Sequence, residues 1–315
     1  MGVWHLSGLG INPGAVTVPL TYLYLLLKMA SEGNREAQNF FATSGERGQE
    51  LKGAPEALII FTSKDVIEGS KYSDIIDNWF KTKKKKSAVE TIKTYLVNLL
   101  RNMEDKDFRR FYNNKWLKYL FLIQVDHRNF EDCFFKIAMT VKALRDKEIW
   151  VNMVGGTNQI NAALLSASGF TTMATRYYYL FQTDIQLLHP DLQKPNVKGF
   201  QLPVPPPAWQ ELPLFTIDMS RLYEDLKKLF AHREKVHIKE VKNILEKLHL
   251  PDQFLAKLRS GLITTDKDIA TKGYMLDRWD KMWAKIRDEI TGEMNMSIWK
   301  KWGKELGILK EIESF

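Results

Sequence analysis

The stretch best equipped for chemistry is Gly155-Gly156-Thr157. It lies between an apolar run (Ile149, Trp150, Val151, Met153, Val154) and a segment whose apolar positions, Ile160, Ala163, Leu164 and Ala167, recur at helical spacing. This reads as strand, tight turn and helix. Two glycines let the backbone turn sharply with its N–H groups uncovered, and Thr157 is suited to cap the helix. Uncovered N–H groups at a helix N-terminus attract a phosphate. A glycine pair here serves equally to seat a helix closely on a sheet, and these residues alone leave both readings open.

Other strand ends carry comparable groups. Residues 3–14 (VWHLSGLGINPG) form a short apolar strand that ends in Ser7, Gly8, Gly10, Ile11 and Asn12, ahead of a long apolar helix over 15–29. Residues 57–62 (ALIIFT) form a strand followed directly by Ser63, Lys64 and Asp65, and the strand at 116–125 runs into Asp126-His127-Arg128-Asn129. In an open parallel sheet, ligands sit outside the carboxyl ends of the strands, so these turns are expected to share one crevice.

The elements needed to hold them there follow in alternation. Residues 31–55 read as a polar loop with a short helix around 35–42, residues 88–103 as an amphipathic helix, 130–144 as another helix, and 175–181 (TRYYYLF) as a strand. Strands alternating with helices predict an α/β fold with a Rossmann-like, mostly parallel, doubly wound sheet over residues 1–186. Seven prolines then fall within 187–213, which predicts a linker and a domain boundary. Residues 214–315 read as mainly helical: helices at 219–231, 238–248 and 252–259, a hairpin at 262–271 and a long helix at 274–290. That order outlines a winged helix-turn-helix, with Gln253, Lys257 and Arg259 placed to face a DNA groove. This segment holds twenty basic against seventeen acidic residues, a weak bias for a DNA reader, so an interaction module is an equal expectation.

The chain has 315 residues, 44% of them hydrophobic, and a formal net charge of +8, which favours an anionic partner without identifying it. A single cysteine, Cys133, excludes an internal disulfide and points to a reducing cytoplasm. The apolar stretch 15–29 is interrupted by Thr17, Pro19, Thr21 and Lys28, reads as a buried helix, and gives no expectation of a membrane partner. The run Lys81–Lys86 reads as an exposed loop.

The two glycine-bearing stretches, residues 7–24 (SGLGINPGAVTVPLTYLY) and 154–170 (VGGTNQINAALLSASGF), resemble the CARF family, the CRISPR-associated Rossmann-like sensors of cyclic oligoadenylate. The resemblance covers residues 1–186. It implies a homodimer in which each protomer gives half of a two-fold site, with contacts from Ser7, Gly8, Gly10, Ile11 and Asn12 and from Gly155, Gly156, Thr157, Asn158 and Gln159. Many relatives have lysine where this chain has Asn158, which hydrogen-bonds but carries no charge.

Arg233 and His237 do not match the Arg-x(4–6)-His spacing of a HEPN ribonuclease, which disfavours an effector nuclease of that kind. Two functions in antiviral defence remain. One is a ring nuclease that needs no cofactor or metal, with Ser7, Asn12 and Asn158 positioning the scissile ribose phosphate, Thr157 beside them, and Lys64, His127 or Arg128 supplying charge. The other is a cyclic oligoadenylate-responsive transcriptional regulator or interaction module, acting on DNA or a partner through the C-terminal region.

Overall fold

The computed structural model describes residues 2–41, 55–69, 87–102, 117–144, 146–171, 174–180, 203–207, 209–212, 219–251, 254–259, 261–289 and 294–312. The Lys81–Lys86 run lies outside the described residues. The chain divides into two compact units, Met1–Ser168 with Met173–Leu214 and Met294–Phe315, and Phe215–Glu293 with Gly169–Thr172.

Five near-continuous apolar runs become the parallel strands β1 (Val3–Leu9), β2 (Pro55–Thr62), β3 (Tyr119–Gln124), β4 (Glu148–Asn152) and β5 (Ala174–Leu180). Strands buried on both faces carry no polar alternation, which is why β2 and β3 read as hydrophobic runs. Two antiparallel strands, β6 (Trp209–Leu212) and β10 (Leu309–Ile312), close the edges. The order β10-β3-β2-β1-β4-β5-β6 contains the doubly wound series 3-2-1-4-5. The expected Rossmann-like α/β architecture is therefore present.

Helices cover the sheet from both sides. α1 (Gly14–Ser31) and α2 (Arg35–Phe41) pack with the amphipathic α4 (Ala88–Asn102) over Leu58, Ile60, Leu120, Leu122, Trp150 and Tyr178, and the short α3 (Lys64–Ile67) follows β2. α5 (Phe130–Ala143) and α6 (Asn158–Thr171) make the crossovers from β3 to β4 and from β4 to β5. α1 is long and apolar enough by length and composition to cross a membrane in spite of Thr17, Pro19, Thr21 and Lys28, and most of it is buried inside the protein, as expected of a buried helix.

The expected boundaries at 187–213 and 214–315 need two corrections. β6 lies inside the proline-rich stretch, pairing with β5 and stacking Trp209 on Tyr178 at 4.4 Å between ring centroids. Proline is compatible with this because the strand starts after Pro205-Pro206-Pro207 and sits at a sheet edge. The C-terminal end, α11 (Met296–Glu305) and β10, returns to the first unit. Trp299 is buried there, meets Phe121 edge-on at 5.3 Å, and donates from Nε1 to Thr140 Oγ1 at 3.1 Å. Burying an indole this size commonly contributes about 3 kcal/mol or more, which explains why the chain end is held on the sheet.

The second unit contains α7 (Met219–Phe230), β7 (Lys235–His237), α8 (Ile238–Lys247), α9 (Phe254–Leu258), β8 (Ile263–Asp266), β9 (Ile269–Lys272) and α10 (Tyr274–Glu289). Its three strands pair in the order β7-β9-β8 over a core that includes Leu222, Leu226, Val241, Leu245, Ile263 and Leu276. His237 caps α8, and Glu240 completes a capping box. The third helix, expected over 252–259, has five residues. Arg259 just beyond it is exposed, while Gln253 lies outside the described residues.

Candidate functional site

Strand order decides where the glycine turns fall. β1 has β2 on one side and β4 on the other, and the crossovers leave in opposite directions, so the carboxyl ends of β1 and β4 form the switch point at which open α/β sheets bind ligands. The two turns touch through their backbones. A Cβ added to Gly8 would stand 2.6 Å from Gly155 O and 2.9 Å from Ile160 Cγ2, and one added to Gly155 would overlap Gly8 O and stand 2.8 Å from Ala15 Cβ. Gly156 has φ +93°, a left-handed conformation that favours glycine.

The other expected residues of the two turns lie just beyond these contacts. Gly10 has no atom within 4 Å of a potential Cβ, Ile11 is 44% exposed, and Asn12 Oδ1 accepts from Gly14 N at 2.9 Å, tying the turn to the start of α1. Opposite them, Thr157 Oγ1 accepts from Ile160 N at 3.4 Å and so caps α6, with Asn158 and Gln159 exposed in its first turn. Thr157 Oγ1 also lies 3.5 Å from His127 O, which brings the end of β3 beside the second turn. Below the rim, Thr62 Oγ1 donates to Leu9 O at 2.7 Å and Val125 N donates to Thr62 O at 2.9 Å, fixing the ends of three strands to one another.

Not every expected residue faces the crevice. Ser7 is fully buried, with Oγ donating to Gly8 O and accepting from Asn152 Nδ2, both at 3.0 Å. Its place is beneath the turn, where a reacting atom has no access. Gly8 and Gly155 are consumed by contact with each other. Lys64 is exposed at the start of α3 and pairs with Glu68 at 3.6 Å. In the 126–129 cluster, Asn129 Oδ1 caps α5 through Glu131 N and Asp132 N, and Asp126 Oδ1 accepts from Arg128 N at 3.1 Å. The Arg128 side chain remains exposed. Contacts thus bring the end of β1 together with Gly155 and Gly156, and Thr157 together with His127, while Ile11, Asn158 and Gln159 are exposed beside them.

Acid–base groups beneath the crevice are silent at neutral pH. Burial, reinforced by the positive charge of Arg176, lowers His5 from 6.5 to about 3, and its Nδ1 lies 3.0 Å from Tyr178 Oη. A general base needs a value near the working pH, which His5 lacks. Cys133, pushed up to about 12 mainly by burial, is held as a thiol.

Sequence reasoning missed Thr62 and Asn152, the buried supports of the two turns. Their signal was faint: a polar residue closing an otherwise apolar strand. What the assembly offers chemically is a set of neutral donors, backbone N–H groups and side-chain amides, at a helix N-terminus, which suits a phosphate-bearing ligand.

No family model matches the chain. A protein of Archaeoglobus fulgidus described as "Uncharacterized protein" is 40% identical over 323 residues, a match covering 99% of this chain and 98% of that protein. The chain belongs to the family of that Archaeoglobus protein. Among solved structures, Enterococcus italicus Csm6 bound to cyclic hexa-2'-fluoro-hexa-dAMP aligns at 12% identity and a TM-score of 0.37. The match covers 82% of this chain and 52% of that one, so this Archaeoglobus-family protein spans about half of the Csm6 chain.

Proposed function

We propose that this protein binds a cyclic oligoadenylate of CRISPR signalling in the crevice between the two glycine turns, as a CARF-type homodimer, and opens the ring. The observation that supports this reading is the backbone contact of Gly8 with Gly155 and Gly156 at the switch point of the sheet, which joins two motifs far apart in the sequence. A ring of repeated adenylates matches a two-fold doubling of such an opening. Gly10, Ile11 and Asn12 are assigned to one wall and Thr157, Asn158 and Gln159 to the other, with Arg128 an exposed cation just beyond the end of β3.

Ring opening uses the substrate's own nucleophile. The ribose 2′-oxygen attacks the adjacent phosphorus, the 5′-oxygen leaves with a proton, and a linear product with a 2′,3′-cyclic phosphate and a free 5′-hydroxyl remains. In-line positioning supplies much of the rate for such a reaction, and donors aimed at the phosphoryl oxygens add to it. Asn12 Nδ2 and Asn158 are the groups assigned to those tasks. Ser7, buried under the turn, is assigned to support.

A second reading, a ligand-controlled regulator or interaction module, draws on the second unit. Its order of helix, strand, two helices and hairpin around a three-stranded sheet supports the expected winged-helix outline. A five-residue α9 and a hairpin tip carrying Asp266 and Asp268 favour a protein partner over a DNA groove. Incubation with cyclic tetra- and hexa-adenylate in chelator separates the two. Linear products ending in 2′,3′-cyclic phosphate are expected; tight binding with intact rings would move the assignment to the regulator, and no binding of either ring would defeat both.

A further inference from the structure

Proline 19 lies in the body of α1, where it lacks the N–H that would bond to the carbonyl of Ala15, four residues earlier. That carbonyl sits at the helix end next to the first glycine turn. It does not go without a donor, because Asn152 Nδ2 reaches it from the end of β4 at 2.9 Å. The same Nδ2 donates to Ser7 Oγ at 3.0 Å, and Oδ1 accepts from Val154 N at 2.9 Å in the second glycine turn. Asn152 is only 2% exposed and stands in register with Ser7 on β1. One buried amide therefore joins the end of β1, the first turn of α1 and the turn after β4.

From this geometry we infer that Asn152 is the positioning residue of the crevice, and that Pro19 creates its task by leaving the Ala15 carbonyl open to a donor from another strand. An ordinary helix residue at 19 would offer that carbonyl a donor within α1 that competes with Asn152. With proline there, the turns are hydrogen-bonded through a single side chain and hold their spacing as one body. The Asn152 side chain is itself buried, where an unmade partner is costly. The coupling concerns the scaffold and holds whatever the ligand; its consequence for adenylate binding rests on the proposed function.

Amide hydrogen exchange on the ligand-free full-length chain tests the coupling without reference to a ligand. Asn152→Ala is expected to raise exchange about tenfold or more in both residues 10–14 and residues 153–157, with β2 and β3 amides unchanged. Adding Pro19→Ala restores the helical donor to the Ala15 carbonyl. The double variant is expected to regain protection in 10–14 but not in 153–157, a non-additive result that a merely destabilised fold does not give. Should Asn152→Ala fail to fold, Asn152→Asp keeps the Oδ1 that accepts from Val154 N while replacing the Nδ2 donor by an acceptor, and loosening of 10–14 with 153–157 the less affected is expected. Loosening of 153–157 alone, or no rescue of 10–14 by Pro19→Ala, overturns the inference. In parallel, cyclic hexa-adenylate affinity should fall about tenfold in Asn152→Ala and recover in part in the double variant; absence of binding by the unmodified protein would defeat the oligoadenylate reading while exchange still decides the coupling.

Discussion

In the turn after β4, Gly155 is pressed against Gly8 so closely that a methyl group would overlap the neighbouring carbonyl, whereas Gly10, in the turn after β1, has no atom within 4 Å of where a side chain would begin. Both are small residues at the end of a buried parallel strand. One is small because two backbones must meet; the other has no such need within the folded chain. The difference separates glycines that build the crevice from glycines that leave space in it, and substitution by alanine measures which is which.

The largest effect is expected at Gly155→Ala. The added carbon collides with backbone, which cannot rotate away as a side chain can, so β1 and the second turn must part. Chemical denaturation should show a loss of about 3 kcal/mol, in the range of overpacked buried sites, together with loss of ligand binding. Unchanged stability would mean that the two turns do not touch. Gly156→Ala comes next. Its φ of +93° and a 3.0 Å approach to Gly8 Cα both resist a side chain, and a cost of about 1–3 kcal/mol is expected from a strained backbone.

How far this was legible in the sequence follows from the range of the interactions. The five parallel strands and their helices announce themselves because burial on two faces leaves unbroken apolar runs, as in Leu58-Ile59-Ile60-Phe61, and because glycine and asparagine punctuate their ends. The two glycine turns were expected to share one crevice, whereas the backbone contact of Gly8 with Gly155 follows only from the strand order. The edge strands were illegible for a physical reason. Leu309–Ile312 is four residues long, carries two adjacent charges, and finds its partner in Leu120–Ile123, far earlier in the chain. Asn152 was missed for a related reason: its task depends on a carbonyl freed by a proline in another element, which no window around Asn152 contains.

The next test leaves the scaffold and asks about the wall. Asn158 is exposed at the start of α6. Asn158→Ala should therefore change stability by no more than about 0.5 kcal/mol, as exposed substitutions generally do, yet weaken binding of cyclic adenylate about tenfold, the worth of a lost hydrogen bond to a charged group. A lysine at this position sharpens the comparison further. Asn158→Lys should tighten binding and make it salt-dependent, since a cation then meets the phosphates. Equal affinities of all three proteins at low salt would remove residue 158 from the wall.

Gly10→Ala is expected to have the smallest effect on the free protein and is the most informative about what enters the crevice. Its backbone is not among those with a left-handed φ, and no protein atom stands near the new methyl group, so the folded chain has no reason to resist it. Replacing a glycine whose conformation alanine also accepts restricts the unfolded chain and should raise stability by about 0.4–1 kcal/mol. A methyl group that the protein tolerates can still obstruct a ligand lying on the backbone. If cyclic adenylate passes over residue 10, the variant will be more stable and bind more weakly; if affinity is unchanged, the ligand lies elsewhere and the open space at Gly10 belongs to no site.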